Sequence, residues 1–262
     1  MSPEPRNGAR REISQRIVAL LKEGIGRGPT SARTFIHDEL VLVVFHDTLT
    51  RGEKVLAEDE RIGLVREMRR AFLSTLRDEV IAVVAEETGR KVRGVLNDHA
   101  VEPDYAICAF LLEGEGANGT VESDAGANER RRAISRGMTT IYKDFIGRGP
   151  TNVRTYMDED VVAVLLTETM TKVERSLVSE DRGDSVREIR REFQNAIKEQ
   201  AIALIEESTD RHIIAFLSDH SVDPDTAVEV FILDGPLDEN GEDTLEERAE
   251  AARADAPDGE AG

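Results

Sequence analysis

The chain contains the same sequence unit twice, and this duplication restricts its possible folds more than any other feature. Gly26-Arg27-Gly28-Pro29-Thr30 returns as Gly147-Arg148-Gly149-Pro150-Thr151, an offset of 121 residues. At this offset about a third of the aligned positions are identical without an insertion or deletion, which shared amphipathicity alone would not give. The sequence therefore predicts two similar domains joined in tandem.

The boundaries of the two units follow from the composition of the segments around them. Residues 8–113 form the first repeat and residues 128–235 the second. Residues 114–127 are rich in glycine and predict a flexible linker. Residues 236–262 are rich in Asp, Glu, Ala and Gly and predict a disordered acidic tail. Within the tail, Thr244 and Glu247 form a capping-box pattern that would allow a short helix at Thr244–Ala254.

The hydrophobic spacing predicts the same order of elements in both repeats. Each opens with an amphipathic helix, shown by Ile13 and Ile17 in the first copy. A β-branched run such as Leu40–Phe45 predicts a buried strand of a hairpin. A capping box at Thr50 and Glu53 begins a long helix with a possible kink near Asp59–Gly63, and a second hairpin follows. We predict an α+β fold of two tandem α-β-β-α-β-β repeats. Each would be a two-layer sandwich with a mostly antiparallel sheet, and the two would pack as a pseudodimer.

Charge and composition exclude several classes of partner. The formal net charge is −19, from 53 acidic and 34 basic residues, so neither nucleic acid nor direct lipid binding is expected. Only six of the basic residues are lysines, which suits a halophile or a GC-rich genome. The single cysteine, Cys108, indicates a reducing compartment. With no apolar run near the roughly 20 residues of a membrane span, we expect a cytoplasmic protein, at most peripheral at a membrane.

The repeated Gly-Arg-Gly-Pro loop has two interpretations. Its backbone amides and nearby guanidinium groups could bind a phosphate, carboxylate or bicarbonate anion, or contact a partner. Alternatively, its glycines and proline only form the turn from a helix to a strand, which is the simpler interpretation. The candidate residues for anion or partner binding are Arg27, Gly28, Arg33, Arg148, Gly149 and Arg154.

Arginines also recur at helical spacing along the long helix of each repeat. Such a stripe is usually a solvated helix face. On so acidic a molecule it could instead receive an acidic partner surface or the chain's own tail. The candidate partner-facing residues are Arg66, Arg69, Arg70, Arg187, Arg190 and Arg191.

Nothing in the sequence commits the chain to catalysis. Asp98-His99 and Asp219-His220, near the tip of the second hairpin, invite a metal or acid–base interpretation, but the carboxylates around them lack a fixed ligand spacing. No Ser or Cys has a convincing base, and no nucleotide-binding fingerprint is present. We therefore predict a protein that is not an enzyme, without catalytic residues, cofactor or metal.

Taken in order, these motifs resemble the MpsC family, named after the C component of a sodium-translocating membrane-potential-generating system. The resemblance covers both repeats and leaves out the linker and the tail. It departs from the family pattern after the capping threonines, where Arg51 and Lys172 replace the usual proline, and at Asp210, which replaces Gly89. The matching residues of the two copies are Gly26–Pro29, Arg33, Thr34, Thr50, Glu53, Lys54, Leu56, Arg66, Arg70 and Asp98, with Gly147–Pro150, Arg154, Thr155, Thr171, Glu174, Arg175, Leu177, Arg187, Arg191 and Asp219.

The resemblance implies an accessory protein of a membrane ion-translocating or inorganic-carbon-supply system. Its other components would be an antiporter-like membrane subunit and a large soluble partner. We therefore expect a non-enzymatic accessory or regulatory subunit that presents its loops and arginines to a partner. The alternative is a stand-alone sensor that binds a small anion or another small molecule.

Overall fold

The structure is a computed structural model that describes residues 4–114 and 125–237. The central part of the predicted linker and nearly all of the acidic tail, including the helix predicted at Thr244–Ala254, lie outside the described residues. In the first repeat the elements are α1 (Glu4–Ile25), β1 (Ser31–Ile36), β2 (Leu40–His46), α2 (Arg51–Glu58), α3 (Ile62–Thr75), α4 (Arg77–Thr88), β3 (Val92–Ala100) and β4 (Tyr105–Leu112). In the second they are α5 (Ala125–Ile146), β5 (Asn152–Asp158), β6 (Val161–Thr167), α6 (Lys172–Ser179), α7 (Gly183–Thr209), β7 (Ile213–Val222) and β8 (Asp225–Leu233).

Each repeat is built on a four-stranded antiparallel sheet, which confirms the predicted fold class. The strand orders are β1-β2-β4-β3 and β5-β6-β8-β7, so the most apolar strands of each repeat are central. In β2, Leu40–Phe45 are buried on both faces. A strand with two buried faces needs a cover on each side.

Helices cover one face of each sheet, and the other sheet covers the second face. Alternate residues of β2, such as Val41 and Val43, pack with Ile13 and Ile17 of α1. The intervening residues Leu42 and Val44 belong to a core shared by both sheets. The molecule is therefore a four-layer α-β-β-α sandwich, in which the packing of sheet on sheet joins the two repeats.

Capping boxes begin the second helical segment of each repeat, as predicted. The Thr50 amide donates to Glu53 Oε2 at 2.7 Å, and the Glu53 amide donates to Thr50 Oγ1 at 3.3 Å. Thr171 and Glu174 repeat this pair of bonds at the same distances. Two of the free amide donors at each helix start are thus satisfied.

The long helix that follows is broken and not merely kinked. Glu60 and Asp181, one just beyond each capping-box helix, have φ angles of 60° and 61°. A residue in this left-handed region ends a helix. The chain then restarts as α3 or α7. In the second repeat α7 runs on to Thr209, whereas the first repeat breaks again at Leu76 into α3 and α4.

The contact between the two sheets extends to their edge strands, β3 and β7. The Asn97 amide donates to Asp219 Oδ2 at 2.8 Å, and the Ser218 amide donates to Asp98 Oδ2 at 2.9 Å. These crossed bonds obey the pseudo-two-fold symmetry of the repeats and satisfy amides on strands that would otherwise be open edges.

Candidate functional site

The arginines of the two repeats converge on one cleft. It has a volume of about 600 Å³ and is lined by α3 and α4 of the first repeat, by α7 of the second, and by the edge strands β3 and β7. Six basic side chains line it, in equivalent pairs from the two repeats: Arg66 and Arg187, Arg70 and Arg191, Arg77 and Lys198. The sequence predicted the arginine stripes but not that they face each other.

Helix geometry explains this convergence. Residues four apart lie on the same helix face, so Arg66 and Arg70 point to the same side of α3, and Arg187 and Arg191 do so on α7. Since pseudo-two-fold symmetry relates the two helices, their basic faces meet across the sheet edge. Four of the predicted stripe residues therefore line one cleft.

Most of these cations form no close ion pair with a carboxylate among the described residues. Of the six, only Arg187 forms an ion pair within 4.0 Å among the described residues, with Asp184 at 2.6 Å. Elsewhere arginines are neutralised locally: Arg16, for example, contacts Glu86 and Glu87 at 2.7 and 2.8 Å. On a molecule with 53 acidic residues, the cleft is thus a concave surface that attracts anions.

The floor of the cleft is acidic. Asp98 and Asp219 lie there on the edge strands and accept the crossed amide bonds described above. The pKa of Asp219 is raised to about 6, mainly by burial and also by the charge of Asp98, while the amide bonds and Arg70 act in the opposite direction. The cleft therefore combines a basic rim with a floor that can accept hydrogen bonds.

The wall contributed by the second repeat contains a buried polar cluster. Glu229 is fully buried, and the Tyr142 hydroxyl donates to its Oε1 at 2.5 Å. Burial raises the pKa of Glu229, and although hydrogen bonds from Tyr142, Ser218 and Gln194 lower it in part, it remains at about 7. Ser218 and Gln194 also line the cleft. The sequence analysis missed this cluster because each of its residues falls on an otherwise ordinary helix or strand.

Two of the six predicted stripe arginines do not face solvent. Arg69 and Arg190 are only 7% and 2% exposed. Arg69 Nη2 donates to Glu53 Oε2 and to the Thr48 carbonyl oxygen, each at 2.6 Å. These two arginines neutralise the capping-box glutamates inside the repeats, so the prediction that they face a partner is corrected.

The Gly-Arg-Gly-Pro loops lie outside the cleft and form helix-to-strand turns. Gly26 and Gly147 have φ angles of 81° and 76° and end α1 and α5. The Arg27 side chain donates to Asp47 and to the Leu49 carbonyl oxygen. Arg148 donates to the Met170 carbonyl oxygen at 2.9 Å. In both loops the arginine thus holds the chain segment that follows the second strand of its own repeat.

The second glycine of each loop lies against the preceding helix. A side chain at Gly28 would approach Val18 Cγ1 at 3.3 Å, and one at Gly149 would approach Thr139 Cγ2 at 3.4 Å. These positions favour a residue without a side chain for reasons of packing.

The other two candidate arginines of the loop regions bridge the repeats. Arg33 contacts Glu159 at 3.0 Å and Asp160 Oδ2 at the same distance. Arg154, its equivalent, contacts Glu39 at 3.1 Å. Each pair therefore joins the first strand of one repeat to the turn between the first two strands of the other repeat.

The Asp-His pairs lie within β3 and β7, not at the tips of the hairpins. In each pair the Asp side chain contacts the edge strand of the other repeat, whereas the His side chain is buried within its own repeat. His99 is buried 2.9 Å from Thr48 Oγ1 and 3.5 Å from Asp104 Oδ1. Burial alone would raise the pKa of Asp104, but bonds from His99, the Leu49 amide and Thr48 lower it. Within residues 4–114 and 125–237, no group of three or more His, Cys, Asp or Glu could hold a metal ion.

Fold and site together define a duplicated α+β protein with one cation-lined cleft between its halves. None of the helices in the described part is long and apolar enough to cross a membrane. The family model "Na+-translocating membrane potential-generating system (MpsC)" matches residues 6–114 and again residues 127–235. The chain therefore belongs to the MpsC family, in two tandem copies. Neither the curated proteins nor the solved structures yielded a match.

Proposed function

We propose that the protein is a non-enzymatic accessory subunit of a sodium-translocating membrane system and that it docks on an acidic segment of a partner through the cleft. Membership of the MpsC family supports the association with such a system. The observation that carries the docking site is the set of six basic side chains that converge on one cleft, of which only Arg187 forms an ion pair with a described carboxylate. By the family resemblance, the partner is an antiporter-like membrane subunit or its large soluble companion, and the protein would act in the cytoplasm.

Charge complementarity favours an acidic partner segment as the occupant. The rest of the molecule carries a large excess of negative charge, so its net charge repels an acidic partner, whereas the basic cleft attracts one. This contrast favours one orientation of the partner and faster association. Exposed charges are screened by salt, with a Debye length of about 10 Å at 0.1 M and about 3 Å at 1 M. Docking is therefore expected to weaken as the salt concentration rises.

Charge reversal of the cleft is expected to abolish recovery of the membrane partner. The test is affinity purification of the tagged protein from gently solubilised host membranes at native salt, with mass spectrometry against a tag-only control. The variant combines Arg66→Glu, Arg70→Glu, Arg187→Glu and Arg191→Glu, and we expect at least a tenfold loss of the partner, the equivalent of about 1.4 kcal/mol.

A matched control separates the cleft from net charge. Arg51, Arg61, Arg175 and Arg182 are exposed and do not line the cleft, so changing all four to Glu gives the same change in net charge. This control is expected to recover the partner as the wild type does. Equal recovery by the cleft variant and the wild type would refute the docking site. Recovery of the protein alone, from membranes in which the partner is intact, would refute the accessory role.

A second candidate function is a small-anion sensor, and the size of the cleft favours it. A volume of about 600 Å³ lies within the range of small-molecule sites, and the basic side chains of the cleft could bind a free anion without any protein partner. The Gly-Arg-Gly-Pro loops are the other proposed place for an anion, although Arg27 already contacts Asp47 there.

Anion-induced thermal stabilisation distinguishes an anion site in the cleft from one at the Gly-Arg-Gly-Pro loops. With inorganic phosphate at low salt, we expect a saturable increase in the melting temperature of the wild type. Changing both Arg70 and Arg191 to Ala should remove this increase, whereas changing both Arg27 and Arg148 to Ala should leave it intact. The opposite pattern would assign the anion to the loops. No increase in any of the proteins would exclude the sensor.

A further inference from the structure

The two walls of the cleft differ in chemistry although the repeats share one fold. In the second repeat Tyr142, Gln194 and Glu229 form the polar cluster behind the wall. The equivalent residues of the first repeat, 121 positions earlier, are Leu21, Leu73 and Cys108. All three positions change together from apolar to polar, although two of them lie on equivalent helices and the third on equivalent central strands of the two repeats.

Three polar atoms of this wall have no hydrogen-bond partner within 3.5 Å among the described residues, although Ser218 and Gln194 lie close enough to Glu229 to lower its pKa. The three atoms are Gln194 Nε2, Ser218 Oγ and Glu229 Oε2. Gln194 is 7% exposed and Glu229 is fully buried, so water satisfies them poorly. Gln194 and Ser218 line the cleft. A ligand in the cleft could therefore bond to Gln194 or Ser218 in place of their long contacts with Glu229.

The other residues that line the cleft favour different chemical groups of a ligand at different positions. The arginines provide charge-assisted bonds for phosphate oxygens. Asp98 and Asp219 on the floor repel a bare phosphate, which keeps it at the basic rim. Phe216 of the second-repeat wall also lines the cleft and offers an aromatic surface to a planar ring.

From this arrangement we propose that the cleft binds a nucleotide, with its phosphates among Arg66, Arg70, Arg187 and Arg191 and its base against Gln194, Ser218 and Phe216. The inference rests on the second candidate function, binding of a small anion by the cleft, and does not depend on a protein partner. An inorganic phosphate compound would fill only the rim and would make no contact with the polar wall. A nucleotide uses both regions, and it would compete with an acidic partner segment for the same arginines.

Calorimetric titration of the purified full chain with ATP and with pyrophosphate tests the proposal. At about 0.1 M salt we expect saturable binding of one ATP per chain, at least tenfold tighter than pyrophosphate. Changing both Arg70 and Arg191 to Ala should weaken both ligands at least tenfold. Gln194→Leu should weaken ATP about tenfold and leave pyrophosphate unchanged, since one lost hydrogen bond with its desolvation cost is of that order.

The chain supplies controls for the polar wall. Leucine is the residue of the first repeat at the position of Gln194, so Gln194→Leu is compatible with the fold. Gln200→Leu makes the same change at an exposed position of α7 and should bind both ligands as the wild type does. Pyrophosphate binding with no preference for ATP, or with no effect of Gln194→Leu on ATP, would overturn the nucleotide and leave the small-anion candidate standing. Binding of neither ligand would overturn both.

Discussion

Replacing Arg190 with Met is expected to lower the free energy of unfolding by about 3–5 kcal/mol, because the change leaves a buried carboxylate without its counter-ion. Arg190 and Glu174 are 2% and 4% exposed. The Arg190 guanidinium contacts both oxygens of Glu174, through Nε at 2.6 Å and through Nη2 at 2.8 Å, and Nη2 also donates to the Thr169 carbonyl oxygen at 2.6 Å. Denaturant unfolding at neutral pH measures the loss.

The next residue provides the control. Arg191→Met removes the same charge from an exposed position, and its effect should stay within about 0.5 kcal/mol. Combining Arg190→Met with Glu174→Gln removes the stranded charge and should recover part of the stability. A loss below about 1 kcal/mol for Arg190→Met alone would show that the pair does not hold α6 and α7 together.

The second large effect is a pH-dependent destabilisation by Glu229. Its pKa is raised from 4.5 to about 7 by burial. Between these values the native chain keeps a proton that the unfolded chain has lost, so the unfolded state binds fewer protons and stability falls as the pH rises. At 1.36 kcal/mol per pKa unit, the group costs about 3 kcal/mol above pH 7.

Glu229→Gln is expected to remove most of this cost. Relative to the wild type, the variant should gain about 2–3 kcal/mol between pH 5 and pH 8, measured by denaturant unfolding at several pH values. Asp219, with a pKa raised to about 6, also lowers the free energy of unfolding as the pH rises. The variant should therefore keep a smaller dependence of stability on pH. Parallel pH profiles for the two proteins would mean that Glu229 stays ionised in the folded chain.

Much of the fold could be predicted because local signals repeat at a fixed offset. The capping boxes at Thr50 and Thr171 and the left-handed helix end at Gly89 depend on residues close in sequence. Asp210 takes the same left-handed conformation in the second repeat. The buried strands were evident from their apolar runs. That the second cover of each sheet is the other sheet could not be derived from local pattern, because it depends on how two separate faces meet.

The buried arginines show a signal that sequence analysis could have used. Arg69 lies four residues after Val65 and three before Phe72, which places it on the apolar stripe of its helix. The apolar residue before it, Met68, is 46% exposed, and Ile189 in the second repeat is 39% exposed. A charge on the apolar face indicates a buried partner, here the capping-box glutamate. The arginine spacing alone gave no means of separating this residue from Arg66 and Arg70.

The cleft depends on contacts across the pseudo-two-fold axis and was beyond prediction. Each stripe could be located on its helix, but convergence requires the crossed bonds of Asp98 and Asp219 that set the edge strands side by side. The polar wall is harder still, since Tyr142 and Glu229 are 87 residues apart in the chain. Comparison of the two repeats reveals the difference in residue type, and only the three-dimensional arrangement shows that the changed positions adjoin.

Joining the two repeats in one chain allows the two walls of the cleft to differ in sequence. In a dimer of identical repeats, a carboxyl at the position of Glu229 would occur twice and its cost of burial would double. Both walls would also be equal, so an unsymmetrical ligand could enter in either of two orientations. With Cys108 on one side and Glu229 on the other, the cost is incurred once, and one occupant in one orientation is favoured. The tandem chain thereby turns a symmetric fold into one with two different cleft walls, which binds one ligand per chain.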